Sequence, residues 1–281
     1  MNLATAAVRN APALDPYPLV LLFVAAVAIF ILFIEAGFRL GSRHQGKHYK
    51  AQSTQVRAIM GAILGLIAFM MAFAFATAQN HFETRVSNLA EEARVIHNAF
   101  LFADYLDEPD RTRARSHLRD YVSLRLLLEQ TNDPSRWDEV ATLIEQSQNL
   151  QRTLWTLSLK QRHMSPNGLT AVRAGSAFGS AVVGIIDIHN ARLQAELANR
   201  ISWVVWVALY FTAMLGMLVM GYHAGMTGRR SPIATYTLAV AFSVVMMLIT
   251  DLDRPMTSIF DLSNQSLVVL EQNMDLMISA D

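Results

Sequence analysis

Residues 58–78 read AIMGAILGLIAFMMAFAFATA and run without a break into QNHFETRVSNLAEEARVIHNAFLFADYL at 79–106. The first block has no charged residue and, as a helix rising about 1.5 Å per residue, is long enough to cross about 30 Å of hydrocarbon. The second block changes period. Phe82, Val86, Leu89, Ala93, Ile96, Phe100 and Ala103 recur at alternating steps of four and three, which is a heptad seam. Neither proline nor glycine separates the two blocks, so one helix is expected to leave the bilayer and continue into a domain outside it.

Three further stretches meet the same membrane criterion, near Pro18–Gly37, Trp203–Ala224 and Pro232–Thr250. Composition agrees: 53% of the 281 residues are hydrophobic and 16% are charged, against about 25% charged in soluble domains. The first stretch is too long for a signal-peptide core and is followed by basic residues instead of a small-residue cleavage site, so it is expected to stay as an anchor. The fold class is an all-α membrane protein with four transmembrane helices and a four-helix extramembrane domain between the second and third spans. The division is a tail over 1–17, spans over 18–40, 58–78, 202–225 and 232–250, a basic cytoplasmic loop over 41–57, the extramembrane domain over 79–201, a short cytoplasmic loop over 226–231 and a tail over 251–281.

Orientation follows from short loops. Arg43, Lys47, Lys50 and Arg57 lie in the first loop with no acid among them, and Arg229 and Arg230 lie in the second, so the positive-inside rule holds both loops in the cytoplasm. Both termini and the large domain then face outward. Within that domain, Asp107-Glu108-Pro109 and Asp133-Pro134 are helix-start signals and Ser165-Pro166-Asn167-Gly168 is a turn, giving helices near 79–106, 109–131, 134–163 and 168–200. The last has a heptad at Leu169, Val172, Gly179, Val183, Ile186, Leu193 and Leu197, with Ser176 and Asn190 on the seam, and is expected to run unbroken into the third span. The tail carries apolar Leu262, Leu267, Val268, Leu270, Met274 and Met277 and is expected to lie on the domain or the membrane surface.

Enzymatic chemistry is not indicated. The chain has no cysteine, its eight histidines form no ligand pair with a carboxylate on the same face, and phosphate loops, dinucleotide fingerprints and nucleophile elbows are missing. No metal and no cofactor is expected, and zero net charge argues against a nucleic-acid partner. The second span is more informative. Gly61, Gly65, Ala68 and Ala72 form a small-residue stripe suited to close helix packing. Leu66, Phe69, Phe73 and Asn80 form a bulkier stripe beside it, open to two readings: ordinary packing with lipid-facing aromatics, or the wall of an apolar constriction with Asn80 at its wet end. Glu35 and Arg39 suit an i,i+4 ion pair. Asp251, Asp253 and Arg254 either cap and stop the fourth span or provide an ion-binding or ion-access position.

These residues in combination carry a resemblance: Gly61-x3-Gly65-Leu66, Ala72-Phe73-x-Phe75, Ala78-Gln79-x2-Phe82-Glu83-x-Arg85, Glu91-Glu92-Ala93, Tyr105-Leu106, Gly221-Tyr222 and Asp251-Leu252-Asp253-Arg254-Pro255. The chain resembles the bacterial bestrophin-like domain family, a membrane family largely of unknown function, over nearly its whole length beyond the first span. Bestrophins are pentameric ion channels whose second spans form an apolar neck, so the resemblance implies a homo-oligomer, a pentamer, with ions as partners and Phe69 and Phe73 at the neck. Two departures stand. Bestrophins hold the large domain in the cytoplasm, whereas the basic loops here place it outside; and Asp251 and Asp253 are separated by Leu252, so a calcium clasp of consecutive acids does not carry over.

The expected function is a homo-oligomeric ion channel of the bacterial inner membrane, with the lipid bilayer and further copies of the chain as partners. The rival is a non-conducting sensor or scaffold whose extramembrane domain binds a ligand or partner, although its cytoplasmic loops are too short for an output domain. A secondary transporter comes third, since no internal repeat is evident.

Overall fold

The computed structural model describes residues 17–43, 49–131, 136–164, 169–197, 199–228, 232–254 and 264–280. Its helices are α1 (Leu19–Ser42), α2 (Tyr49–Ala103), α3 (Asp110–Gln130), α4 (Trp137–Met164), α5 (Leu169–Leu197), α6 (Trp203–Thr227), α7 (Pro232–Asp253) and α8 (Gln265–Ala280). Lys47, Asp133, Pro134, the turn at 165–168, Arg229, Arg230, Pro255 and Leu262 lie outside the described residues. Four helices are long and apolar enough to cross a membrane, namely α1, α2, α6 and α7, so the chain is an all-α multi-pass membrane protein with helical connecting regions.

The chain divides into two compact units, one from Leu14–Phe82 with Arg200–Arg254, the other mainly from Glu83–Asn199 with Pro255–Asp281. In the first, Phe30, Ile34, Ile67, Met71, Ala74, Leu209, Ala213, Met217, Ala239 and Met246 form the apolar core. Its tightest crossing joins α1 and α6. A Cβ added at Gly37 or Gly41 would run into the carbonyls of Leu218 and Tyr222, and one at Gly221 or Gly225 into those of Ile34 and Phe38. Two G-x3-G pairs therefore face each other with backbone touching backbone, the contact that drives helix association where lipid removes the hydrophobic force. Gly228 ends α6 in the left-handed conformation, φ 64°, which glycine adopts without a Cβ penalty.

In the second unit the heptad on α2 is largely as expected: Leu89, Ala93, Ile96, Phe100 and Ala103 are buried, while Val86 is exposed. The α5 seam is shifted by one residue. Gly179 and Leu193 are buried as expected, but Val172, Val183 and Asn190 are exposed, and the continuous buried row is Phe178, Val182, Ile185, His189 and Arg192. Reading for apolarity rejects this row, since two of its five members are ionisable, and settles on its neighbour. The expected continuity of α5 into the third span also fails. Residues 199–202 are not helical, because Ile201 donates its backbone N–H to the Asp253 carboxylate at 3.0 Å and Ser202, at φ −57° and ψ 139°, starts α6 afresh. Helix α8 buries Leu267, Leu270 and Met274 in the core of this unit. It is fastened to α3 by Ser123 donating to Glu271 at 2.6 Å and by the Arg119–Asp275 ion pair.

Candidate functional site

Helix α2 has a buried and an open side in the apolar unit. Ile67, Met71, Ala74 and Ala78 are buried at helical spacing. Opposite them, Leu66, Phe69 and Phe73 are 51%, 70% and 64% exposed, and Gly61, Gly65, Ala68, Ala72, Ala76 and Asn80 are exposed as well. At 100° per residue, Gly61, Gly65, Ala68 and Ala72 fall along one flank of this open side, with Leu66, Phe69, Phe73 and Asn80 on the next. The two stripes are thus parallel, a low one of small side chains and a high one of large side chains.

The glycines of the low stripe meet no described part of the chain. Among the described residues nothing lies within 4 Å of a Cβ built at Gly61 or Gly65, whereas the same spacing at Gly37/Gly41 and Gly221/Gly225 is consumed in the α1–α6 crossing. Those two pairs make backbone-to-backbone contact within the chain. Ala68 and Ala72 form, with Met71, Phe75, Leu238 and Phe242, the wall of an apolar groove of about 380 Å³ between α2 and α7.

Asp251, Asp253 and Arg254 are all buried at the end of α7. Asp253 accepts from Ile201 N–H and lies 3.4 Å from His81 Nδ1, and Arg254 donates from Nη1 to the Tyr17 carbonyl at 3.0 Å. Asp253 thus holds the backbone that precedes α6. Glu35 and Arg39 form the expected ion pair, Nε to Oε1 at 3.2 Å.

A polar cluster that the sequence reading missed lies in the other unit. Glu92 of α2 has no exposed surface and sits between Arg125 of α3, whose Nε is 2.9 Å from Oε1, and Arg192 of α5, which donates to Oε2. Arg192 also reaches Glu129 and Glu196. The Tyr121 hydroxyl donates to Glu92 at 3.3 Å, accepts from Gln151 Nε2 at 3.2 Å and lies 3.4 Å from His189 Nδ1. Burial by itself would push the Glu92 carboxyl up, but Arg125 and Arg192 outweigh it and hold the group below the usual carboxylate range. Burial, reinforced by Arg125, pushes the His189 imidazole down to about 4. The cluster is closed, with its charges paired across three helices, and its members are too far apart in sequence to signal one another.

Among the described residues no group of three or more His, Asp or Glu is arranged to hold a metal ion. The sequence profile described as Bestrophin-like domain matches residues 21–267. No curated protein matches the chain. Crystal structures of single-substitution forms of a bacterial Bestrophin homolog from Klebsiella pneumoniae are similar in fold. One, at 15% identity and a TM-score of 0.55, covers 93% of this chain and 99% of its own. A second, at 15% identity and a TM-score of 0.54, covers 92% and 98%.

Proposed function

This chain belongs to the Bestrophin-like domain family, and from that premise we propose that it is the subunit of a homo-oligomeric ion channel in the bacterial inner membrane. Helix α2 lines an axial pore, Leu66, Phe69 and Phe73 form an apolar constriction that gates by dewetting, and Asn80 lies at its wet end. The observation that carries this reading is the open side of α2: a row of large apolar side chains left uncovered on the helix whose opposite side buries Ile67, Met71, Ala74 and Ala78. In a ring the low stripe of Gly61, Gly65, Ala68 and Ala72 serves the contact with the adjacent copy, and the differing flanks of α2 favour a head-to-tail contact that closes on itself. The resemblance to bestrophins implies five copies. Termini and the domain over 79–201 lie outside the cytoplasm, held by the basic loops.

The absence of cysteine makes a direct test available. Single cysteines at Leu66, Phe69 and Phe73, with Val24→Cys on the exposed side of α1 as a lipid-facing control, are treated in proteoliposomes with a membrane-impermeant thiol reagent. The channel reading predicts modification at the α2 positions and none at Val24→Cys. If all three α2 positions resist modification in the intact oligomer, as expected for aromatics in lipid, the non-conducting scaffold replaces it.

A further inference from the structure

On the polar-cored unit, α3 presents Arg111, Arg115 and Arg119 at successive steps of four, one side of a cavity of about 690 Å³. Thr112 and Ser116 line it beside them, with Glu108 at one edge and Ile278 of α8 at the other. That volume lies in the range of small-molecule sites. Like charges at i,i+4 on a helix destabilise it, so a ladder of three guanidiniums needs anions around it. Carboxylates of the chain reach each rung, and Arg111 also gives its Nε–H to the Leu106 carbonyl at 3.2 Å. Glu108 is 3.7 Å from Arg111 and Asp104 is 3.4 Å from Arg115, both longer than a charge-assisted hydrogen bond; Asp275 pairs closely with Arg119. Each guanidinium has five donors in a rigid fork suited to oxyanions. Arg115 is 8% exposed, with its guanidinium 4.6 Å from the centre of the Phe100 ring, so its charge sits in a poorly screened wall where attraction to an anion is strengthened. Ser116 adds a hydroxyl donor at the same mouth.

We propose that this cavity is a binding site for a phosphate-bearing ligand, with Arg111, Arg115 and Arg119 as the forked donors and Ser116 as a further donor. A phosphate offers three oxygens to a ladder whose rungs rise about 6 Å apart, and guanidinium is the side chain best matched to such oxyanions. The ligand is either a free phosphate compound or a lipid headgroup. Glu108, fixed at the edge by Thr112 Oγ1 at 2.8 Å, sets a limit on how much negative charge the site accepts.

The test is titration of the detergent-purified full chain, at constant ionic strength, with inorganic phosphate, pyrophosphate and dihexanoyl phosphatidic acid, read by calorimetry. Saturable binding of at least one is expected, weakened about tenfold or more in Arg115→Gln and Arg111→Gln and abolished in Ser116→Glu, whose exposed position leaves the fold intact. Binding of phosphate or pyrophosphate alone identifies a free ligand, and binding of the short-chain lipid alone identifies a headgroup. No saturable binding of any of the three, or equal affinity in wild type, Arg111→Gln and Ser116→Glu, overturns the proposal.

Discussion

Glu92, Arg125 and Arg192 illustrate why single residues matter unevenly in this chain. Each charge has been withdrawn from water, and removing one partner leaves the others uncompensated, at about 3–5 kcal/mol. Glu92→Gln is therefore expected to lower the thermal midpoint of the helical domain sharply, while replacement of all three by Met or Leu recovers most of the loss; a triple variant no better than the single one would argue against a cost due to unpaired charge. His189 adds a pH dependence. Its folded value of about 4 lies below the ordinary 6.5, so between those values the unfolded chain binds more protons and stability falls as pH falls. The loss amounts to about 3 kcal/mol by pH 4, where it levels off, since each unit is worth about 1.4 kcal/mol. The depressed Glu92 group contributes stability above its ordinary 4.5 that is lost at still lower pH as the carboxyl protonates. Denaturation of wild type and His189→Gln at pH 7 and pH 5 should show the first decline in the wild type alone. The glycines give a separate contrast. Gly37→Ala or Gly221→Ala drives a methyl into backbone and should cost about 1–3 kcal/mol or more. Gly65→Ala, facing open space, should leave the folded subunit within about 0.5 kcal/mol of wild type when thermal midpoints are compared in detergent.

At the scale of elements, the spans were legible because hydrocarbon imposes both a length and an apolar composition, and α1, α2, α6 and α7 satisfy both. The long α2 was legible because nothing in 58–106 breaks a helix. The α5 seam was not, for a physical reason: its buried row includes His189 and Arg192, which are tolerated inside only because Glu92, Glu129 and Glu196 arrive from other turns and other helices. Periodicity sees one helix at a time and cannot report such partners. The break before α6 depends likewise on Asp253, 52 residues downstream of the N–H it accepts. Helix α8 supplies an element-scale prediction. Leu267 is fully buried in the domain core, so Leu267→Asp should release α8 and raise hydrogen exchange over 265–280 and over the α3 positions it covers. Val268→Asp, on the exposed side, should not. Equal exchange in the two variants would mean that α8 is not held by its apolar face.

At the scale of the whole molecule, membership in a family of membrane proteins and the open side of α2 together favour assembly around an axis. Gly65→Leu fills the low stripe at a position where an added Cβ meets nothing within 4 Å and should shift the detergent-purified protein toward smaller assemblies by native mass measurement, with the helical content unchanged. A wild-type protein that is monomeric in both mild detergent and lipid would exclude a shared axial pore. Orientation is separable: a periplasm-dependent reporter fused to the C-terminus should be active, and activity of only a cytoplasmic reporter would reverse the topology drawn from Arg43, Arg57, Arg229 and Arg230. The measurement that bears most directly on the central claim is ion flux from proteoliposomes holding equal amounts of intact wild-type and Phe69→Ala/Phe73→Ala oligomer. An apolar neck is a barrier whose height depends on the size and polarity of its lining, so the double variant should conduct well above wild type for at least one of several cations and anions. Equal, background-level flux from both intact oligomers would contradict the pore.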